Sequence, residues 1–188
     1  TRGILKFAVP LIVGYILQQM YLIIDAAIVG RWIGVNALAA VGASSSIMFL
    51  ILGFCNGCCA GFAIPIAQSF GAKDYSKMRS YVSNAIRIGI IFVIVITFLA
   101  CIFCGKLLKI VNTPGEIFHD AYVFLLLQLL AIPFIFSYNL FSGFIRSLGN
   151  SKQPFYFLIL SSFLNIFLDI ILIILLDLGV AGAGLATM

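Results

Sequence analysis

Asp25 and Asp169 lie inside long runs of apolar residues, and Asn165 stands one helical turn before the second of them. Insertion scales put a carboxylate at the centre of a membrane helix at roughly 2.5–3.5 kcal/mol, so such residues mark ion or substrate pathways. Asn165 and Asp169, at i and i+4, share one helix face. Carboxylate, amide and hydroxyl oxygens are hard ligands, suited to an alkali cation or to carrying a proton. Two facing carboxylates in a low dielectric cannot both ionise cheaply. Such a pair can swap a proton or a sodium ion for a cationic substrate. The competing reading is that each aspartate caps a helix or pairs with a base. Arg31, beyond the end of the same span, is then the partner for Asp25, whereas Asp169 has no basic residue within its own span.

The elements that carry these residues are membrane helices. Hydrophobic residues make up 63% of the chain and charged residues 9%, against about 25% charged in soluble domains. The mean hydropathy is +1.21. Apolar stretches of about 20 residues, the length of a spanning helix, recur throughout. The pattern gives an all-α, polytopic membrane protein with five complete spans and the start of a sixth. The spans run over 5–29, 45–70, 82–104, 117–138 and 154–176, and the sixth opens near Val180. Gly30 and Gly34, Gly71 to Lys77, Thr113 to Gly115, and Gly149 to Lys152 punctuate the loops. The segment Tyr75 to Asn84 reads as a short interfacial helix before the third span. There is no cleavable signal-peptide pattern, and the chain is expected to be a piece of a longer protein without a separate soluble domain.

The net charge of +5 sits in short loops and reflects topology rather than nucleic-acid binding. Arg2, Lys6, Lys73, Lys77, Arg79, Arg87, Arg146 and Lys152 fall on one side, and Arg31, Lys106 and Lys109 on the other. That bias places the N-terminus in the cytoplasm. Asp25 then lies about 18 residues, or roughly 27 Å, into its helix. Asp169 lies about 15 residues into a helix entering from the same side, and Thr187 reaches a comparable level from the other. Three oxygen-bearing side chains from three helices arrive at one depth in the outer half of the bilayer.

The remaining polar and small residues have plainer readings. Cys55, Cys58 and Cys59, and Cys101 and Cys104, mimic metal or redox spacings but lie in apolar spans without a nearby histidine, as small packing residues do. Gly53, Gly57 and Gly61 form a small face that would let another helix approach closely. Pro10, Pro65 and Pro133 interrupt three spans, each removing a backbone hydrogen bond. Gln18, Gln19, Asn56, Gln128 and Asn139 are expected to hydrogen-bond between helices. Trp32, Tyr122 and Tyr138 suit the interfacial belts. His119 reads as an outer-loop surface residue, and Asp177 as a solvated helix end. One histidine, with no HExxH, GxSxG or phosphate loop, argues against an enzyme.

Several segments resemble one family. Tyr21 to Gly30 (YLIIDAAIVG), Gly34, and Ala37 to Gly42 (ALAAVG) look like the first-helix signature of the multidrug and toxic compound extrusion (MATE) transporters. So do Ala67 to Asp74 (AQSFGAKD), Ser142 to Pro154 (SGFIRSLGNSKQP), Asn165 to Asp169 (NIFLD) and Gly179 to Thr187 (GVAGAGLAT), in order along nearly the whole chain. The resemblance implies a twelve-helix transporter in two six-helix lobes, of which residues 1–188 are the N-terminal lobe with its sixth helix truncated. It implies export of organic, often cationic, compounds in exchange for sodium or protons by alternating access, in the cytoplasmic membrane. The partners would be a small organic molecule, the bilayer and a C-terminal lobe of the same polypeptide, and the only cofactor the coupling Na+ or H+. Family positions for the ion fall on Asp25, Asn165, Asp169 and Thr187, and the helix-bending proline on Pro10. One departure is Phe124, where the family often has tyrosine. The alternatives are a lipid-linked-glycan flippase of the same superfamily, which would favour cationic residues in its central cavity, and a non-transporting structural fragment.

Overall fold

The computed structural model describes residues 2–187, with side chains from Phe7 onward. Helix α1 (Arg2–Ile28) runs into a π-helical segment (Val29–Ile33), and Gly34 at φ +120° turns the chain into α2 (Val35–Gly71). Helix α3 covers Tyr75–Ile110. A short 3-10 turn (Gly115–Ile117) leads into α4 (Phe118–Ser147). Helix α5 (Lys152–Asp169) passes into a second π segment (Ile170–Leu175), and α6 is Gly179–Thr187. Five helices are long and apolar enough to cross a membrane.

Helices α3 and α4 run on to Ile110 and Ser147, past the expected 104 and 138, and two helix starts differ for local reasons. Helix α2 starts at Val35 rather than near Ser45, so the serine run lies inside it. Ser44 Oγ donates to the Ala40 carbonyl at 2.9 Å and lies 3.3 Å from that of Ala121, while Ser45 Oγ donates to Val41 at 2.8 Å. Their hydroxyls are satisfied by backbone, which lets a polar triplet stay helical. The charged stretch from Tyr75 is no separate interfacial helix but the first turns of α3. Asp74 caps it, accepting the Lys77 backbone N–H at 3.0 Å, and that bond holds its carboxyl below the usual carboxylate range. His119 likewise sits in the first turn of α4 rather than in a loop, though exposed.

The helices pack as two groups. Helices α2, α3 and α4 bury a large core that includes Cys59, Ile66, Cys104, Leu108, Leu125, Leu129, Ile132 and Phe136. All five cysteines are free thiols, and Cys55, Cys59 and Cys104 are buried. Helix α1 lies along α5, and α6 joins the groups by packing on α4. Pro10, Pro65 and Pro133 all sit within continuous helix. Among the described residues no other helix approaches the small face of α2. Gly53, Gly57 and Gly61 are exposed, and a Cβ added at any of them would meet nothing within 4 Å. Helix α2 spends its opposite face on the core, through Ile51, Cys55, Cys59 and Ile66. Close approaches occur elsewhere: an added Cβ at Gly14 would lie 3.2 Å from Leu158, at Gly89 3.0 Å from Phe136, and at Gly184 2.8 Å from Leu127.

Candidate functional site

Helix α1 presents Gln18, Tyr21, Asp25 and Ile28 at spacings of three and four residues, which is one helical stripe. Asp25 is 8% exposed although its neighbours Leu22, Ile23 and Ile24 are all exposed, so this stripe faces inward. It meets α5, whose Asn165 and Asp169 are also buried, the latter completely. The Asp25 and Asp169 carboxyls come close enough to share a hydrogen bond when one of them is protonated. Farther along the same two helices Gly14 packs closely, and a Cβ added there would lie 3.2 Å from the Leu158 side chain and 3.5 Å from that of Phe155.

Asn165 ties α5 to α6. Its Nδ2 donates to the Ala186 carbonyl at 3.0 Å, next to Thr187. The half-buried Thr187 gives its hydroxyl hydrogen to Ala183 on its own helix at 2.9 Å, which leaves the oxygen able to accept or to ligate. Asp25 Oδ1, Asn165 Oδ1 and both carboxylate oxygens of Asp169 are buried with no protein hydrogen-bond partner. Unpartnered buried oxygens cost free energy unless a proton, cation or water meets them. A set of hard oxygens fits a proton or an alkali ion. The structure thus brings Asp25, Asn165 and Asp169 into one buried site and holds Thr187 beside it.

Arg31 does not pair with Asp25. Its guanidinium lies over the Trp32 ring, 5.6 Å from the centroid. Among the described residues the only salt bridge joins Lys77 to Asp74. Asp177 is exposed, as expected of a helix end. Asn139 bonds the Ile135 carbonyl of its own helix at 3.0 Å rather than reaching a neighbour. Tyr21 and Gln18 accompany Asp25 on its inward stripe, which sequence reasoning did not single out. Both are half-buried. The available signal was their spacing, four and seven residues before Asp25.

One turn beyond each polar residue the bundle turns dry. Ile28 and Val29 follow Asp25, Ile173 follows Asp169, and Ala183 precedes Thr187; with Ala37, Val180 and Phe124 they form one buried apolar cluster. Phe124 is 5% exposed within it, so position 124 contributes packing and no hydroxyl. The backbone also changes beside the carboxylates. Both π segments begin within four residues of an aspartate and pack against each other. In them Gly34 N–H bonds Val29 O at 3.2 Å and Leu176 N–H bonds Ile171 O at 2.9 Å, five residues back in each case. Single π turns inside helices are frequent at functional sites.

Comparison with known proteins adds to this geometry. The MatE family model matches residues 10–171. The probable multidrug resistance protein YoeA of Bacillus subtilis strain 168 is 33% identical over 99% of the chain, and the multidrug export protein MepA of Staphylococcus saprophyticus is 27% identical over 99%. The chain spans 41% of the length of each. A solved outward-facing multidrug resistance MATE family transporter of the MOP superfamily superposes with a TM-score of 0.92 at 27% identity, over 98% of this chain and 41% of that one. A family match across most of the sequence, and helices that follow solved transporters almost end to end, place this chain in the MatE family of membrane transporters.

Proposed function

We propose that the chain is the N-terminal lobe of a secondary active antiporter. The whole protein would export organic, cationic compounds in exchange for Na+ or H+ by alternating access. The observation that carries the reading is the cluster of buried, unpartnered oxygens from Asp25, Asn165 and Asp169, on two helices tied to a third. The relatives named for multidrug resistance and multidrug export support the direction and the substrate class. The lobe would sit in the cytoplasmic membrane with its N-terminus inside, against a second lobe.

The coupling chemistry follows from charge. With no cation bound, two ionised carboxylates in a dry site repel one another and strain the contact between α1 and α5. A proton or sodium ion between them removes that repulsion, with Asn165 Oδ1 and Thr187 Oγ as neutral ligands. Loaded and empty lobes then prefer different helix spacings. That differential free energy is what any ligand-driven conformational change requires.

Replacing Asp169 by asparagine keeps the shape of the side chain and removes the exchangeable charge. Asp169→Asn is expected to abolish ion-coupled export of a fluorescent lipophilic cation from proteoliposomes while membrane insertion is retained. Wild-type drug resistance in cells carrying that variant would end the proposal. Asp25→Asn should remove or shift the sodium or pH dependence of transport, and an unchanged ion profile would return Asp25 to a structural role.

A further inference from the structure

Helix α6 is described for nine residues, about 13 Å at the standard rise, against a hydrocarbon core of about 30 Å. Over that length it wedges between two neighbours. Gly184 sits against Leu127 of α4, and the Ala186 carbonyl accepts the Asn165 amide of α5 at 3.0 Å. Past Thr187 the space between the same two helices stays open. It is a groove of about 400 Å³, walled by Tyr138, Phe141 and Ser142 of α4 and by Phe157, Ser161 and Leu164 of α5. Leu164 stands next to Asn165, so the groove opens where the described part of α6 leaves off. Phe141, Phe157 and Leu164 are exposed along it. At its far end the Tyr138 hydroxyl donates to the Pro154 carbonyl at 3.0 Å.

Two helix registers carry the axis of α6 into this groove. In the up-and-down chain α6 runs parallel to α4 and antiparallel to α5. Tyr138 lies eleven residues past Leu127, and Pro154 lies eleven residues before Asn165. Helix continued from Gly184 and from Ala186 therefore draws level with the Tyr138–Pro154 bond at about the seventh and ninth residues after Met188. The two walls thus agree to about 3 Å. A helix from Gly179 to that level holds about 18 residues, enough to span a bilayer.

We propose that the α4–α5 groove is the seat of the second half of α6, formed by the residues that follow Met188 in the full polypeptide. The proposal rests on reading the chain as one lobe of a longer protein, in keeping with relatives of whose length it spans 41%. The walls are almost wholly apolar and ask for an apolar helix face, with contacts recurring every three to four residues. Seated there, the helix ties α5, which carries Asn165 and Asp169, to the core of α2, α3 and α4. A shift of α5 on cation binding would then reach α4 through α6.

The test uses the full-length protein in its membranes, with p-benzoylphenylalanine in place of Phe157, an exposed aromatic position. Phe157 lies eight residues before Asn165, level with about the sixth residue after Met188. Ultraviolet crosslinking and mass spectrometry of the digest should find adducts on about the fourth to eighth residues after Met188, spaced by three or four. Adducts confined to phospholipid, to a second copy or to later spans overturn the proposal, as does the absence of any peptide adduct. If that variant folds poorly, Ser161→Cys is paired in turn with a cysteine at each of about the first four residues after Met188, and oxidation should link the second best. No disulfide-linked peptide in that series is equally fatal. Adducts on later spans defeat only the seat, whereas an intact mass no larger than the 20.5 kDa of this chain defeats the one-lobe reading itself.

Discussion

Asn165 spends its amide on the Ala186 carbonyl and keeps its own carbonyl oxygen for the site, so two functions meet in one side chain. Thr187 differs, because its hydroxyl bonds only its own helix. Substitutions should separate tie from ligand. Thr187→Val is expected to change thermal stability by less than about 0.5 kcal/mol, as for a substitution that breaks no interhelical contact, while weakening cation binding. Asn165→Leu should weaken cation binding and also loosen α5 from α6, by about 0.6 kcal/mol and up to 1.7, the measured range for hydrogen bonds between membrane helices. Melting of the purified variants with and without sodium checks both. Loss of cation-induced stabilisation, by sodium or by protons, in Thr187→Val without a lower baseline is the expected signature. Asp25, Asn165 and Asp169 were legible in the sequence because a carboxylate in hydrocarbon is too costly to be idle. That Tyr21 shares their inward stripe was not, since a tyrosine serves equally well in core, belt or site. Only its inward stripe, visible once Leu22 to Ile24 prove exposed, distinguishes it.

At the scale of elements, five spans could be read from hydropathy because length and composition fix them. The ends could not, because backbone bonds invisible in composition decide them. Ser44 and Ser45 stay helical through carbonyls one turn back, and Asp74 caps α3 so that it starts at Tyr75 rather than at 82. The π segments were hidden altogether, since the run from Ile170 to Leu175 offers no side-chain signal of a change in backbone register. The Asp74 cap has a testable pH range. Its folded carboxyl titrates below the unfolded one, so its contribution is complete above the unfolded value of about 3.9 and fades as pH falls through the lower folded value. The protection of the Lys77 amide, its exchange rate relative to the intrinsic rate at the same pH, should therefore be unchanged between about pH 7 and 5. Asp74→Ala should lower that protection across this range, and Asp74→Asn should preserve most of it, since both aspartate and asparagine cap well. The close approach of α6 predicts a contrast between two glycines. An added Cβ at Gly182 would lie 3.0 Å from the Leu172 carbonyl of the second π segment, a backbone atom that cannot swing aside. Gly182→Ala gains about 1 kcal/mol of helix propensity and loses about 1–3 to overpacking, so it should lower thermal stability or at best leave it level. Gly57→Ala meets open space and should leave the bundle as stable or slightly more so. Thermal unfolding of the two variants side by side reads the difference.

For the whole molecule, the helices sort the basic residues to its two ends. Lys73, Lys77, Arg79, Arg146 and Lys152 gather around the α2–α3 and α4–α5 connections, while Arg31, Lys106 and Lys109 lie by the opposite turns. The carboxylates sit toward the second end, in the last turns of α1 and α5, beneath the apolar cluster of Ile28, Val29, Phe124 and Ile173. Lysines and arginines near short loops favour the cytoplasmic face, so on the proposed orientation the carboxylates would lie in the outer half of the bilayer, under a dry cover. Thiol labelling in intact cells decides the orientation. Ser76 and Glu116 are exposed at opposite ends, and neither supplies a side-chain hydrogen bond to the bundle that cysteine would remove. The native cysteines lie in the spans, where a membrane-impermeant maleimide does not reach, so the background is low. Glu116→Cys should label in intact cells and Ser76→Cys only after permeabilisation. The reverse pattern would invert the lobe, move the carboxylates to the cytoplasmic half and make the apolar cluster an inner seal instead of an outer one.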